Sequence, residues 1–240
     1  MNILITGGAS GLGEAITRML AKEQSNMVYF TFANSQANAT KLQHEFKNAI
    51  GIKCDFKNAT ELEALKSKIE GLQIDVLINN AFYGEAIKSY FHKIPEADFA
   101  AEFIDNVIPI IGITQTAVTS FRKRKQGKII TILTSFLVNT PPIGASSYVA
   151  CKAYLGSLVK SWATENAKFN ITSNAISPSF MQTGLTADVD ERIIEQMTAG
   201  HPLKKLLTTE EVAETVLFLA SASSQMNGVD IVLNAGTNLR

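Results

Sequence analysis

Short apolar runs and longer amphipathic stretches take turns along the whole chain, and that alternation leaves little choice of architecture. A short run buried on both faces suits a strand of a parallel sheet, and apolar residues at helical spacing suit a crossover helix packed against it. Strands are expected at 2–6, 27–32, 50–54, 75–79, 128–133, 171–176 and 229–232. Helices are expected at 12–23, 36–48, 60–71, 96–125 with a break or bend near Pro109, 147–168 and 209–221. No Pro/Gly/Ser-rich linker, internal repeat or low-complexity tract interrupts them. The expectation is therefore one α/β domain over residues 1–240, a doubly wound parallel sheet of about seven strands.

Composition enters as a set of exclusions. With 22 basic and 22 acidic side chains and 46% hydrophobic residues, the chain is neutral and core-rich. Disorder as a dominant state is excluded, and no charge surplus is available for a nucleic-acid backbone. The one basic run, 122–125, reads as the solvated end of a helix. The sequence opens Met1-Asn2-Ile3-Leu4-Ile5-Thr6 and meets glycines at once, which is not the pattern of a secretory signal. The most apolar stretch, 103–113, is broken by Asp105, Asn106, Pro109 and Gly112, so no run of about 18 apolar residues marks a membrane span. Cys54 and Cys151 have no metal-like spacing and read as reduced, buried residues, while His44, His92 and His201 stand apart. A cytoplasmic protein with no metal site is expected.

The first strand runs straight into Thr6-Gly7-Gly8-Ala9-Ser10-Gly11-Leu12-Gly13, which opens the first helix. Glycine allows positive φ and close backbone approach, and a helix N-terminus presents unpaired N–H groups to a pyrophosphate. A carboxylate near the end of the second strand would bind a ribose 2′-hydroxyl and repel a 2′-phosphate. The chain has Thr31-Phe32-Ala33-Asn34-Ser35 there, and Thr31, Asn34 and Ser35 are hydroxyl and amide groups that can donate to a phosphate. This favours NADP(H) over NAD(H), although no basic residue stands in the segment and Arg18 on the first helix is distant.

Tyr148 and Lys152 lie four apart at the start of an expected helix, so both side chains share one face. An ammonium beside a phenol stabilises the phenolate, which makes the pair suited to proton transfer at a carbonyl. Ser135 ends the fifth strand, close enough in sequence for the chain to loop back and bring its hydroxyl beside Tyr148.

Together these motifs resemble the short-chain dehydrogenase/reductase family over essentially the whole chain. Residues 6–13 match its TGxxxGxG loop, Asn79-Asn80-Ala81 its NNAG segment, and Tyr148-Val149-Ala150-Cys151-Lys152 its YxxxK. Asn174-Ala175-Ile176-Ser177-Pro178 matches the stretch before its nicotinamide-contacting loop. The tail, with Thr183-Gly184-Leu185-Thr186, His201-Pro202-Leu203 and Asn227-Gly228, is most similar to the β-ketoacyl-ACP reductase branch. The resemblance implies a Rossmann-like fold and a catalytic set of Asn106, Ser135, Tyr148 and Lys152. In it Tyr148 protonates the carbonyl oxygen, and Lys152 holds the nicotinamide ribose and lowers the tyrosine pKa. Ser135 bonds the substrate oxygen, and Asn106 holds a water that resupplies the proton. It further implies that Asp55 with Phe56 contacts the adenine, Asn80 and Ala81 the adenosine ribose, and Ile176, Pro178 and Thr183 the nicotinamide. A homotetramer or homodimer built on the faces around 103–118 and 153–162 is also implied.

Two departures stand out: Phe82 replaces the last glycine of NNAG, and Ser179 replaces the glycine usual after Pro178. The turn is expected to pass to Tyr83-Gly84. Phe136, Leu137, Val138, Pro141, Pro142 and Ile143 form an apolar loop after the serine, opposite Phe180, Met181 and Leu185. Such walls favour an apolar ketone or acyl thioester over a sugar, with Asn139 as the polar reader and a small lid at about 180–200, centred on 188–200. The alternatives are an NAD-dependent secondary-alcohol dehydrogenase and a non-catalytic dinucleotide-binding sensor or scaffold.

Overall fold

The computed structural model describes residues 1–237 except Lys88, Ala187 and Asp188, and of Leu185 the backbone alone. Seven parallel strands form one sheet: β1 (Asn2–Ile5), β2 (Met27–Phe32), β3 (Ala49–Lys53), β4 (Val76–Asn79), β5 (Gly127–Ile132), β6 (Ile171–Pro178) and β7 (Asp230–Leu233). Their spatial order is β3-β2-β1-β4-β5-β6-β7. The helices are α1 (Gly11–Ala21), α2 (Gln36–Glu45), α3 (Ala59–Leu72), α4 (Glu96–Asn106), α5 (Ile108–Arg124), α6 (Ser146–Asn166), α7 (Glu191–Gly200) and α8 (Thr209–Ser221).

Side chains alternate across each strand, and the two faces fill two separate cores. Ile3, Ile5, Val76, Ile78, Ile130 and Ile132 join α1 and α8 on one face. Leu4, Leu77 and Ile129 join α3 and α5 on the other, and Leu133 and Ala175 meet α5 and α6 nearby. The order reverses between β1 and β4, whose register is Ile5 opposite Ile78. In such sheets the crevice at the carboxyl ends beside that reversal is where ligands bind.

Most expected elements fall within a few residues of their places. The long helix over 96–125 is divided at Val107, because Pro109 brings no N–H to the first turn of α5. α7 was expected only as a lid segment; Asp190 caps it by accepting from the Arg192 N–H at 2.8 Å. The basic run 122–125 is not simply solvated. Arg122 donates to Asn166 at 2.7 Å and lies over the Phe169 ring, and Arg124 pairs with Asp75 at 3.0 Å.

Candidate active site

Where β1 and β4 part, the residues that leave them are tied to each other. Thr6 is fully buried, and its hydroxyl accepts the N–H groups of Asn80 at 2.9 Å and Ala81 at 3.0 Å. The Asn80 amide answers by donating to the carbonyls of Thr6 at 2.9 Å and Gly7 at 3.2 Å. From the β2 side, the Thr31 hydroxyl accepts the Gly7 N–H at 2.9 Å. The glycine loop is thus held from both flanking strands. Gly7 has φ +66°, and a Cβ at Gly13 would lie 2.0 Å from the Gly7 carbonyl oxygen, so neither position admits a side chain without rebuilding the loop. The first turn of α1 begins its bonding with the Glu14 N–H to Ser10, which leaves earlier amides without an intrahelical acceptor.

A cleft of about 800 Å³ extends from this loop. Its wall takes in Gly7, Ser10, Gly11, Leu12, Gly13, Thr31, Asn34, Ser35, Asp55, Phe56, Asn80, Ala81, Asn106, Tyr148, Lys152, Pro178 and Thr183. Thr183 packs against Gly11, where a Cβ would sit 3.4 Å from the threonine Cβ. Thr6 and Ser135 are predicted site residues that lie behind the wall. Ile176, fully buried in the core, is behind it too. A cradle of glycines and bare amides at one end and apolar walls at the other fits a dinucleotide in size and in chemistry.

At the outer end, Asn34 is exposed and Ser35 is the N-cap of α2 with no capping bond from its side chain. Arg18 is not free to serve there, being paired with both Glu14 and Glu45. At the inner end, the first turns of α6 bring up Tyr148 and Lys152, 7% and 4% exposed. Lys152 Nζ donates to the Ile132 carbonyl at 2.8 Å and lies 5.8 Å from the Tyr148 ring centre. Desolvation dominates both groups. It pushes the Tyr148 phenol up to about 12 and the Lys152 ammonium down to about 8. The phenol is therefore raised by burial, not lowered as the spacing suggested.

The serine was expected beside the phenol, but the hydroxyl residue that lines the cleft with Tyr148 is Thr134. Ser135 Oγ is buried with no hydrogen-bond partner among the described residues. Two adjacent hydroxyls follow β5, and the sequence offers no way to tell which one turns to the cleft. The Asn106 side chain is likewise spent elsewhere: its oxygen accepts the Tyr83 N–H at 2.6 Å, and its amide donates to the carbonyls of Tyr83 and Glu102, both at 3.1 Å. It clamps the segment after Ala81. Of the apolar loop, Phe136 lines the cleft, whereas Pro141, Pro142 and Ile143 line a separate shallow pocket with Tyr90 and Phe91. Asn139 meets Asn234 at 3.5 Å and is not on the wall. Phe180, Met181, Val189 and Ile193 form the facing side, and the expected contribution of the Leu185 side chain, like that of Asp188 in the lid, lies outside the described residues.

Residues 7–238 match the family model described as enoyl-(acyl carrier protein) reductase. The chain belongs to the short-chain dehydrogenase/reductase family. It is 32% identical to the 3-oxoacyl-(acyl-carrier-protein) reductase FabG of Thermotoga maritima, over 97% of this chain and 96% of that one. FabG of Staphylococcus aureus is 30% identical with the same coverage. Among solved structures, a short chain dehydrogenase/reductase family protein superposes with TM-score 0.86 at 27% identity, covering 98% of this chain and 96% of its own. The protein is thus an NAD(P)-dependent oxidoreductase of this family, with its Rossmann-like single domain.

Against that family background the two departures have concrete positions. The Phe82 ring meets the Tyr148 ring edge-to-face, with centres 4.9 Å apart and planes at 79°. Lys152 Nζ lies 5.3 Å from the Phe82 ring centre. The turn passes to Gly84, at φ +101°, as the sequence suggests. Ser179 stays on the wall, its N–H bonded to the Leu233 carbonyl at 2.9 Å.

Proposed function

We propose that this short-chain dehydrogenase/reductase reduces a ketone, a 3-oxoacyl thioester or similar carbonyl, with NADPH as the reductant. The observation that carries the proposal is the buried Tyr148–Lys152 pair at the inner end of a cleft whose outer end is a glycine-and-amide cradle. When bound, the cofactor supplies hydride. The chain supplies the proton: a phenol pushed up to about 12 is protonated at neutral pH, so Tyr148 stands ready as donor to a carbonyl oxygen. Thr134 lines the cleft beside the phenol, and the unpartnered Ser135 hydroxyl, buried just behind the wall, turns toward the cleft to bond the substrate oxygen. Lys152 orients the cofactor ribose from the same helix face, and Asn106 fixes the loop that carries Phe82. The amides of Gly11, Leu12 and Gly13 take the pyrophosphate, with Ser10 beside them; Asp55, Phe56, Asn80 and Ala81 take the adenosine, and Pro178 and Thr183 the nicotinamide end.

Preference for NADPH is supported at the start of α2. Its first turn carries no acidic residue, and the uncapped Ser35 leaves a hydroxyl and helix N–H groups for a 2′-phosphate. The residues 180–200 act as a lid, since Met181, Val189 and Ile193 already line the cleft mouth. An apolar wall of Phe136, Phe180 and Met181 suits an acyl chain better than a sugar. A cytoplasmic location and a homotetramer or homodimer belong to the same proposal. No helix among the described residues is long and apolar enough to cross a membrane. The test is an absorbance assay of NADPH and NADH oxidation with 3-oxoacyl thioesters, sugar-derived ketones and steroid-like ketones. Turnover with the thioesters and NADPH is expected, and a clear NADH preference would overturn the cofactor assignment.

A further inference from the structure

Tyr148 and Lys152 are the groups that must touch cofactor and substrate, yet both are largely covered where they meet the cleft, 7% and 4% exposed. Their cover is identifiable. Phe82 presents its ring edge-to-face to Tyr148 at 4.9 Å and stands 5.3 Å from Lys152 Nζ. Lys152 meanwhile spends a proton on the Ile132 carbonyl. The backbone on either side of Phe82 is fixed: the Ala81 N–H is held by Thr6, and Tyr83 is held through both its N–H and its carbonyl by Asn106. The backbone around Phe82 is therefore clamped, and what can move is the ring, by rotation about its own side-chain bonds. Sequence position adds a second argument. A glycine in this place, as in the NNAG pattern, has no ring to move, so Phe82 introduces a step that the pattern lacks.

We propose that Phe82 is a gate over the nicotinamide end of the cleft, and that dinucleotide binding requires its ring to leave Tyr148 and Lys152. The proposal rests on the reading of that pair as the proton-donor end of the site. Leaving breaks one aromatic pair and one largely desolvated cation–π contact, so the closed gate opposes binding of the whole dinucleotide by about tenfold or more. It does not oppose binding of the adenine half, which sits at the other end.

The experiment compares wild type, Phe82→Gly and Phe82→Leu in equilibrium and stopped-flow binding of NADPH, followed by nicotinamide fluorescence, and of 2′,5′-ADP, followed by calorimetry. The expected result is at least about tenfold tighter NADPH binding by Phe82→Gly, a smaller gain for Phe82→Leu, and unchanged 2′,5′-ADP affinity for both. Unchanged or weaker NADPH binding by the glycine variant would show the ring to be a permanent wall and overturn the gate. An equal gain for NADPH and 2′,5′-ADP would also overturn it, because that signals a loosened loop. If Phe82→Gly fails to fold, Phe82→Leu carries the same split between the two ligands. Near-normal turnover by Tyr148→Phe would sink the proton-donor reading and leave this binding split standing, so the two failures are separable.

Discussion

Burial drives Tyr148 and Lys152 each toward its neutral form, and the two effects have opposite signs on the pH axis. Lys152 falls from an ordinary 10.5 to about 8. Between those values the unfolded chain holds the proton that the folded one has released, so stability rises with pH across that window. Below about pH 8 both states are protonated, and the cost of the buried ammonium is fully present. Lys152→Met should remove that pH dependence: its stability relative to wild type should be highest below pH 8 and decline by about 3 kcal/mol as pH rises to 10.5. Urea denaturation across the range checks it, and a constant difference would contradict it. The Tyr148–Lys152 pair was legible from its i, i+4 spacing taken together with the glycine loop and the serine after the fifth strand. Its electrostatics were not, because desolvation comes from Phe82 and from strand ends far away in the chain. The choice between Thr134 and Ser135 was hidden for a similar reason, since both are hydroxyls and only the path of the chain after β5 separates them.

At the scale of elements, the cleft exists because β1 and β4 are cross-braced at their carboxyl ends. One hydroxyl, Thr6 Oγ1, accepts two backbone N–H groups, and the Asn80 amide returns two bonds. Thr6→Val preserves shape but strands those N–H groups. It should cost about 1–3 kcal/mol in chemical denaturation and weaken NADPH binding measurably by fluorescence titration. An unchanged dissociation constant would mean that the loop holds its form without the brace. The strands and most helices were readable because apolar residues buried on both faces or on one stripe leave a periodic trace. α7 left a weaker trace: it is short, has no fully buried residue and begins at a capping aspartate that equally suits a turn. Thr6 was read as a ligand-loop residue, and its bracing role lies in partners distant in sequence, Asn80 and Ala81.

For the molecule as a whole, zero net charge means that attraction for a phosphorylated cofactor comes from local amides and helix ends. Apolar surface remains on the side of α4, α5 and α6, where Ile104, Ile108 and Tyr154 are 59%, 49% and 45% exposed. Assembly through that side predicts that Ile108→Glu combined with Tyr154→Glu lowers the sedimenting species toward the monomer. A wild-type chain that already sediments as a monomer would contradict it. The doubly wound parallel sheet of about seven strands was foreshadowed by the alternation of runs; the strand order was not. The aromatic cover over the donor pair was not, since nothing local in Asn79-Asn80-Ala81-Phe82 says where a ring will point. The central claim is that Tyr148 delivers the proton. It is tested most directly by single-turnover NADPH oxidation with a 3-oxoacyl thioester by wild type and Tyr148→Phe. The account predicts a rate lower by about 10²–10⁴-fold in the variant with NADPH affinity retained, and a variant rate near that of wild type would contradict it.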